Sequence, residues 1–218
     1  YKLDKNSSPQ SYSLGIKELW QIPKKLSDPG YVSHGFGWPL KNNVYGGSFL
    51  YHMDESVVSI GLIVGLNYKN PWMSPFEEFQ KFKNHPKISK LLTNGKRIGY
   101  GARSLTTGGL FSLPQLTFPG GALIGCNAGF LNPAKIKGTH NAIKSGILVA
   151  NAIVKKLIEN QKNKTNINIL KKNIFDDSVI FKELKKTRNF KAFINKGIFF
   201  GGALFKIEQV LFFKNPFF

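Results

Sequence analysis

Residues 57–66 read VVSIGLIVGL, apolar at nearly every position. A short run with no polar alternation needs cover on both faces, which predicts a central strand within a sheet. The stretch before it, VYGGSFLYHM (Val44 to Met53), alternates at Phe49, Tyr51 and Met53, and the pair DE between the two runs predicts a hairpin. Gly46 and Gly47 interrupt the first strand where larger residues would pack better. Glycine in a strand costs backbone entropy and packs nothing, so something should approach the main chain there. Two readings fit: a bulge or bend of the chain itself, or a flat ligand held by backbone groups.

Around this hairpin the first half reads as strands with one helical insert. SYSLGIKELWQI and YVSHGFGWPL flank the turn PKKLSDPG, and KRIGYGARSL returns as a strand. In SPFEEFQKFKNHPKISKLL, Ser74 can cap a helix, Pro75 suits its first turn, and Phe76, Phe79 and Phe82 should share one face. Pro86 should break that helix. The second half changes character: a short apolar strand, a glycine-rich loop, then a long helix with an apolar stripe at Ile143, Ile147, Ala150, Val154 and Leu157. QKNKTNINILKKN reads as a polar connector, SVIFKELKKTRNFKAFINKG as helical, and the terminal run as the most apolar of the chain.

Composition narrows the chemistry. A single cysteine, Cys126, excludes an internal disulfide and a cysteine-ligated cluster built from these residues alone. His34, His52, His85 and His140 show no metal-like pairing, so no metal site is expected, and no hydrolase spacing of Ser, His and Asp stands out. The net charge of +19 comes from 28 lysines and only three arginines. Scarce arginine argues against nucleic acid as a partner, because bidentate recognition of phosphate and guanine leans on it. Lysine, abundant together with Asn, Ile and Phe, fits AT-rich coding, and also suits attraction to anionic lipid headgroups.

In GGALIGCNAGFLNPAKIKGTHNAIKSG, Gly120, Gly121, Gly125 and Gly129 allow close approach of a flat group. Gly138 and Thr139 open a helix whose unpaired N–H groups favour negative charge, such as that of a reduced flavin. An ordinary glycine-rich strand–helix connection reads equally well.

The blocks GWPL, YGGSFLYH, SPFEEFQ, GKRIGYGAR, LTFPGGALIGC and KIKGTHNAIKSGIL occur in the order found in the electron transfer flavoprotein–ubiquinone oxidoreductase family, which the chain resembles from about Pro9 to Phe218. The resemblance implies an α+β fold: a mixed-sheet ubiquinone-binding domain at 10–108, and the C-terminal part of a glutathione-reductase-type FAD domain with connecting helices at 109–196. An apolar, membrane-associated segment at 197–218 completes it. It further implies Gly46 and Gly47 as ubiquinone-binding, and Gly125, Gly138 and Thr139 as FAD-binding. A 4Fe-4S cluster would have ligands outside these residues, and electron transfer flavoprotein would be the partner. The catalytic residues stay unassigned. No G-x-G-x-x-G fingerprint opens a strand–helix unit here, and both ends are abrupt, so the chain is expected to be an internal piece that is inactive alone.

The terminal GIFFGGALFKIEQVLFFKNPFF is broken by Lys206, Glu208 and Lys214, so an interfacial segment is expected and not a spanning one. Residues 151–218 carry 14 Lys+Arg against 5 Asp+Glu, which suits a monotopic protein. Such a protein would sit on the cytoplasmic face of a bacterial inner membrane or the matrix face of the mitochondrial one. Two alternatives stay open: a geranylgeranyl-reductase-like flavoprotein with a separate ferredoxin, and a non-catalytic basic membrane-docking module.

Overall fold

The computed structural model describes residues 2–163 and 174–211. Within them the backbone divides into two units: residues 12–105 with 195–200, and the remainder.

The first unit is built on β1 (Tyr12–Gln21), β2 (Val32–Gly35), β3 (Gly46–His52), β4 (Val57–Gly65) and β5 (Lys96–Thr106). Their order is β2-β3-β4-β1-β5, so the apolar run occupies the middle of the sheet. The expected sheet is present, and the ladders joining β2, β3, β4 and β1 are all antiparallel. Every residue of β4 after Val57 is buried.

Val58, Ile60, Leu62 and Val64 share a core with Phe79 and Phe82 of α1 (Pro75–Lys83) and Ile88 and Leu92 of α2 (Pro86–Leu92). The local chemistry explains both helices. The Ser74 side chain accepts a hydrogen bond from the Glu77 N–H and Pro75 follows it, while Pro86 ends one helix and opens the next. Phe76 departs from the expected common face: it is exposed, while Phe79 and Phe82 are buried.

Two packing details stiffen this unit. Glu18 on β1 is buried and accepts hydrogen bonds from Trp20 Nε1 at 2.8 Å, Lys83 Nζ at 3.1 Å and Arg97 Nη1 at 3.1 Å. Burial alone would raise its pKa, but these three donors outweigh it and hold the carboxyl below the ordinary glutamate value. On the sheet, the Phe49 ring lies over Gly61, its partner on β4; a Cβ built at Gly61 would overlap that ring.

The second unit holds a two-stranded ribbon, β6 (Thr117–Phe118) and β7 (Gly121–Ala122), and the helices α3 (Thr139–Asn163), α4 (Val179–Lys186) and α5 (Phe190–Ile194). Its core joins Leu116, Phe130, Val149, Phe175, Ile180 and Leu184. A sixth helix, α6 (Ile198–Leu211), begins among the residues of the first unit and continues in the second. The helical reading of 178–197 holds as two short helices, the first capped by the Ser178 hydroxyl, which accepts from the Phe181 N–H. The long helix forms as expected, but Ile143, Ile147, Val154 and Leu157 lie exposed on it, while Val149 faces the core. Apolar periodicity identifies the helix; it does not say which face its own unit covers. Most of the polar connector, and the apolar tail after Leu211, lie outside the described residues.

Candidate functional site

The glycine pair opens β3, with Gly46 opposite Val64 and Gly47 opposite Ile63 on β4. The protein's own backbone is what comes close. A Cβ at Gly46 would overlap the Ile63 carbonyl oxygen and stand 2.5 Å from Leu40 Cδ1. At Gly47 it would stand 2.6 Å from the Gly35 carbonyl oxygen on β2. The sheet therefore requires both glycines whether or not a ligand binds. A side chain at Gly47 would run into β2 before reaching any ligand.

The geometry leaves one feature suited to a ligand. The β2–β3 ladder starts at Gly35–Ser48, so the glycine pair lies just beyond its last rung. Successive strand residues aim their N–H and C=O groups to opposite edges, so one of the two glycines presents them on the β2 side. The loop from Phe36 to Asn43 runs past that edge. Phe36 and Trp38, exposed by 71% and 55%, stand on it, and the Phe36 Cα is 4.0 Å from the Cβ position of Gly47. Just behind the pair, Tyr45 is buried, which pushes its phenol pKa up, so the hydroxyl stays protonated.

Phe36 and Trp38 are exposed aromatics that no sequence pattern singles out, and the Trp38 ring lies 5.3 Å from that of His85. Aromatics between glycines in HGFGWPL have no periodic partner to bury them, and such residues end up at loop surfaces.

In the second unit, Gly125 precedes a single 3-10 turn, Cys126–Ala128, with φ of +75°, and its N–H donates to Ser145 Oγ at 2.9 Å. Ser145 lies on α3, so this bond ties the glycine-rich loop to the helix. Gly138 is buried; a Cβ there would come within 3.3 Å of Cys126 Sγ and of the Leu131 Cα. Thr139, the first residue of α3, is exposed. Gly125, Gly138 and Thr139 thus meet where the loop packs on the helix start.

His140 Nε2 lies 2.8 Å from Glu183 Oε2. Asn132 Nδ2 donates to the other oxygen at 2.8 Å, and Lys135 Nζ lies 3.4 Å from it. Burial would raise the Glu183 pKa, but His140, Asn132 and Lys135 together hold it below the ordinary value. The cluster fastens α4 to the loop that leads into α3. Among the described residues no group of three or more His, Cys, Asp or Glu could hold a metal ion, and no helix is long and apolar enough to cross a membrane.

The fold aligns with a geranylgeranyl bacteriochlorophyll reductase-like protein from Thermoplasma acidophilum, with TM-score 0.66, 19% identity, and 90% of this chain covering 46% of that one. It also aligns with the flavin-dependent brominase Bmp2, at TM-score 0.53 and 14% identity, over 92% of this chain and 47% of the other. At these identities the likeness is one of α+β fold alone. Residues 12–105 match the family described as ETF-QO, ubiquinone-binding. The chain is homologous to electron transfer flavoprotein–ubiquinone oxidoreductase: 49% identical to the mitochondrial protein of Caenorhabditis elegans over 93% of this chain, and 51% to that of Homo sapiens over 88%. The Pseudomonas aeruginosa protein is 47% identical over 97% of it. The chain spans about a third of the length of these relatives, between 32% and 38%.

Proposed function

We propose that this chain supplies the ubiquinone-binding part of a protein that passes electrons from reduced electron transfer flavoprotein to ubiquinone at a membrane surface. The observation that carries the reading is identity of 47–51% across nearly the whole chain to relatives bearing that name. A geranylgeranyl-reductase-like activity is less well supported, since that likeness rests on 19% identity and a shared fold.

In this reading residues 10–108 bind the quinone. Its headgroup offers two carbonyl acceptors and a flat face. The backbone edge at the glycine pair offers one N–H donor to a carbonyl, and Phe36 and Trp38 offer apolar contact for the ring or the tail. Residues 109–196 contribute to an FAD site, and 197–218 lie at the lipid interface, where the exposed Phe199 and Phe200 of α6 would meet the acyl boundary.

The residues present fit a flavin. Nothing lies within 4 Å of the Cβ position at Gly125, its φ of +75° favours glycine, and α3 has no acidic residue in its first turn to compete for an anion. Gly125, Gly138 and Thr139 would hold the isoalloxazine end, and the group supplies the exchange between one- and two-electron steps when bound. The main-chain N–H groups at the start of α3 would favour negative charge beside them. A 4Fe-4S cluster does not fit these residues, because one cysteine cannot provide its ligands.

The test avoids altering the glycines, which the sheet itself requires. A photoreactive ubiquinone analogue is added to the intact flavoprotein and the labelled peptides are mapped. Labelling within residues 35–53, competed by unlabelled quinone, is expected. Label confined to 109–163 would remove the quinone from the glycine pair.

A further inference from the structure

Most helices bring their own cap, and α6 does not. The residue before it is Gly197, which has no side chain to accept from the first turn and holds φ at +106°. The cap comes from Asn42, more than 150 residues earlier. Its backbone carbonyl accepts from the Ile198 N–H at 2.9 Å, and its side-chain Oδ1 accepts from the Phe199 N–H at 3.1 Å. Two of the orphan donors of the most apolar helix are thus satisfied by one residue. Gly197 is part of the arrangement, since a Cβ there would stand 3.0 Å from Asn42 Nδ2.

Asn42 lies in the loop that delivers the glycine pair. The Val44 N–H donates to the Lys41 carbonyl at 2.9 Å, closing a turn around Asn42 and Asn43. Val44 and Tyr45 are buried immediately after it, the Tyr45 carbonyl accepts from the Gly65 N–H at 2.7 Å, and Gly46 follows. The chain from the cap to Gly46 therefore has little slack. Leu40, on the other side of the turn, packs against the Gly46 position. Residues 195–200 accordingly group with the sheet unit.

We infer that Asn42 is a positioning residue for quinone binding. By capping α6 it fixes the turn that sets Gly46 and Gly47, so the first turn of that helix and the quinone edge hold one register. This rests on the quinone reading given above. A helix free to shift at its first turn would let the Lys41–Val44 turn move with it, and the headgroup donor would lose its alignment.

The experiment uses the intact flavoprotein with a soluble ubiquinone analogue. Asn42→Ala removes the Oδ1 acceptor; Asn42→Asp keeps an acceptor in place and adds charge that a helix N-terminus favours. KM for the analogue is expected to rise about 3- to 10-fold in Asn42→Ala, the equivalent of one lost cap bond. Its kcat should stay within about twofold, and flavin reduction by electron transfer flavoprotein should be unchanged, since neither involves a cap bond. Asn42→Asp should return KM to the wild-type value. If Asn42→Ala fails to fold, Asn42→Ser, with a shorter acceptor, is measured instead and should lie between the two. A wild-type KM in the Ala or Ser variant overturns the inference, as does an Asp variant as impaired as Ala. If the wild-type protein itself neither binds nor reduces the analogue, the quinone reading fails and this inference falls with it.

Discussion

The two units treat their apolar residues differently. In the sheet unit, β4 sits mid-sheet with two helices over it, and Val58, Ile60, Leu62 and Val64 are almost wholly withdrawn from water. In the other unit, α3 turns Val149 inward but leaves Ile143, Ile147, Val154 and Leu157 exposed. Hydrophobic stabilisation scales with area removed from water, so the first unit has a closed core and the second a partial one. Stability should therefore be uneven along the chain, and substitutions should report which unit they strike.

All three tryptophans, Trp20, Trp38 and Trp72, lie within 12–105, so their fluorescence follows the sheet unit, while circular dichroism at the helix minimum weighs the other unit more heavily. The largest effect is expected from Gly46→Val, whose side chain has no space against the Ile63 carbonyl. It should cost about 3 kcal/mol or more, seen as an earlier fluorescence transition in urea, at the upper end of overpacking penalties. An unchanged fluorescence midpoint would mean that β3 has room to move.

Next comes Glu18→Gln. Removing one member of a buried ion pair costs about 3–5 kcal/mol, but Lys83 and Arg97 keep some solvent, so about 2 kcal/mol is expected in the same transition. The wild-type carboxyl titrates below its ordinary value once folded. Its contribution is therefore complete above the ordinary glutamate pKa and lost as pH falls through the lowered one. A Gln variant as acid-sensitive as wild type would assign acid loss elsewhere.

The second unit should respond at the opposite end of the pH scale. Burial lowers the Lys191 pKa from 10.5 to about 8 in α5. The folded state then holds fewer protons than the unfolded one between those values, so stability rises as pH climbs from about 8 toward 10.5. Urea transitions followed by circular dichroism at pH 7.5 and 9.5 should show the gain, and Lys191→Met should abolish it. The smallest effect belongs to Val154→Lys on the exposed stripe, within about 0.5 kcal/mol on either signal. A larger loss would reveal that the stripe is covered.

How far these contrasts could be read from the sequence differs between the units for a physical reason. VVSIGLIVGL announced its burial because a run apolar at nearly every position has no solvent-facing side, and Ser74 with Pro75 announced a helix start through local chemistry alone. The exposure of Ile143 and Val154 could not be read so, because a stripe records which residues seek cover and not whether cover is supplied nearby. Gly46 and Gly47 were legible as places of close approach. Which partner approaches depends on strand order and register, and the Gly35 and Ile63 carbonyls come from segments more than ten residues away. Asn42 gave no signal at all, since its hydrogen-bond partners lie at the other end of the chain.

The Phe49 ring seated on Gly61 has a consequence for how this sheet can vary. The two positions share a volume: a methyl at residue 61 needs the space the ring now fills, and stands 2.8 Å from the Ile16 carbonyl oxygen besides, while a truncated residue 49 leaves the ring's space empty. Gly61→Ala alone should be poorly tolerated, and Phe49→Ala alone should leave a void over the strand. Made together, the two changes should partly cancel, so the loss in the double variant is smaller than the sum of the single losses. A drifting sequence could cross from one arrangement to the other only by way of a weakened intermediate, which makes this aromatic–glycine pair a ratchet on the divergence of β3 and β4.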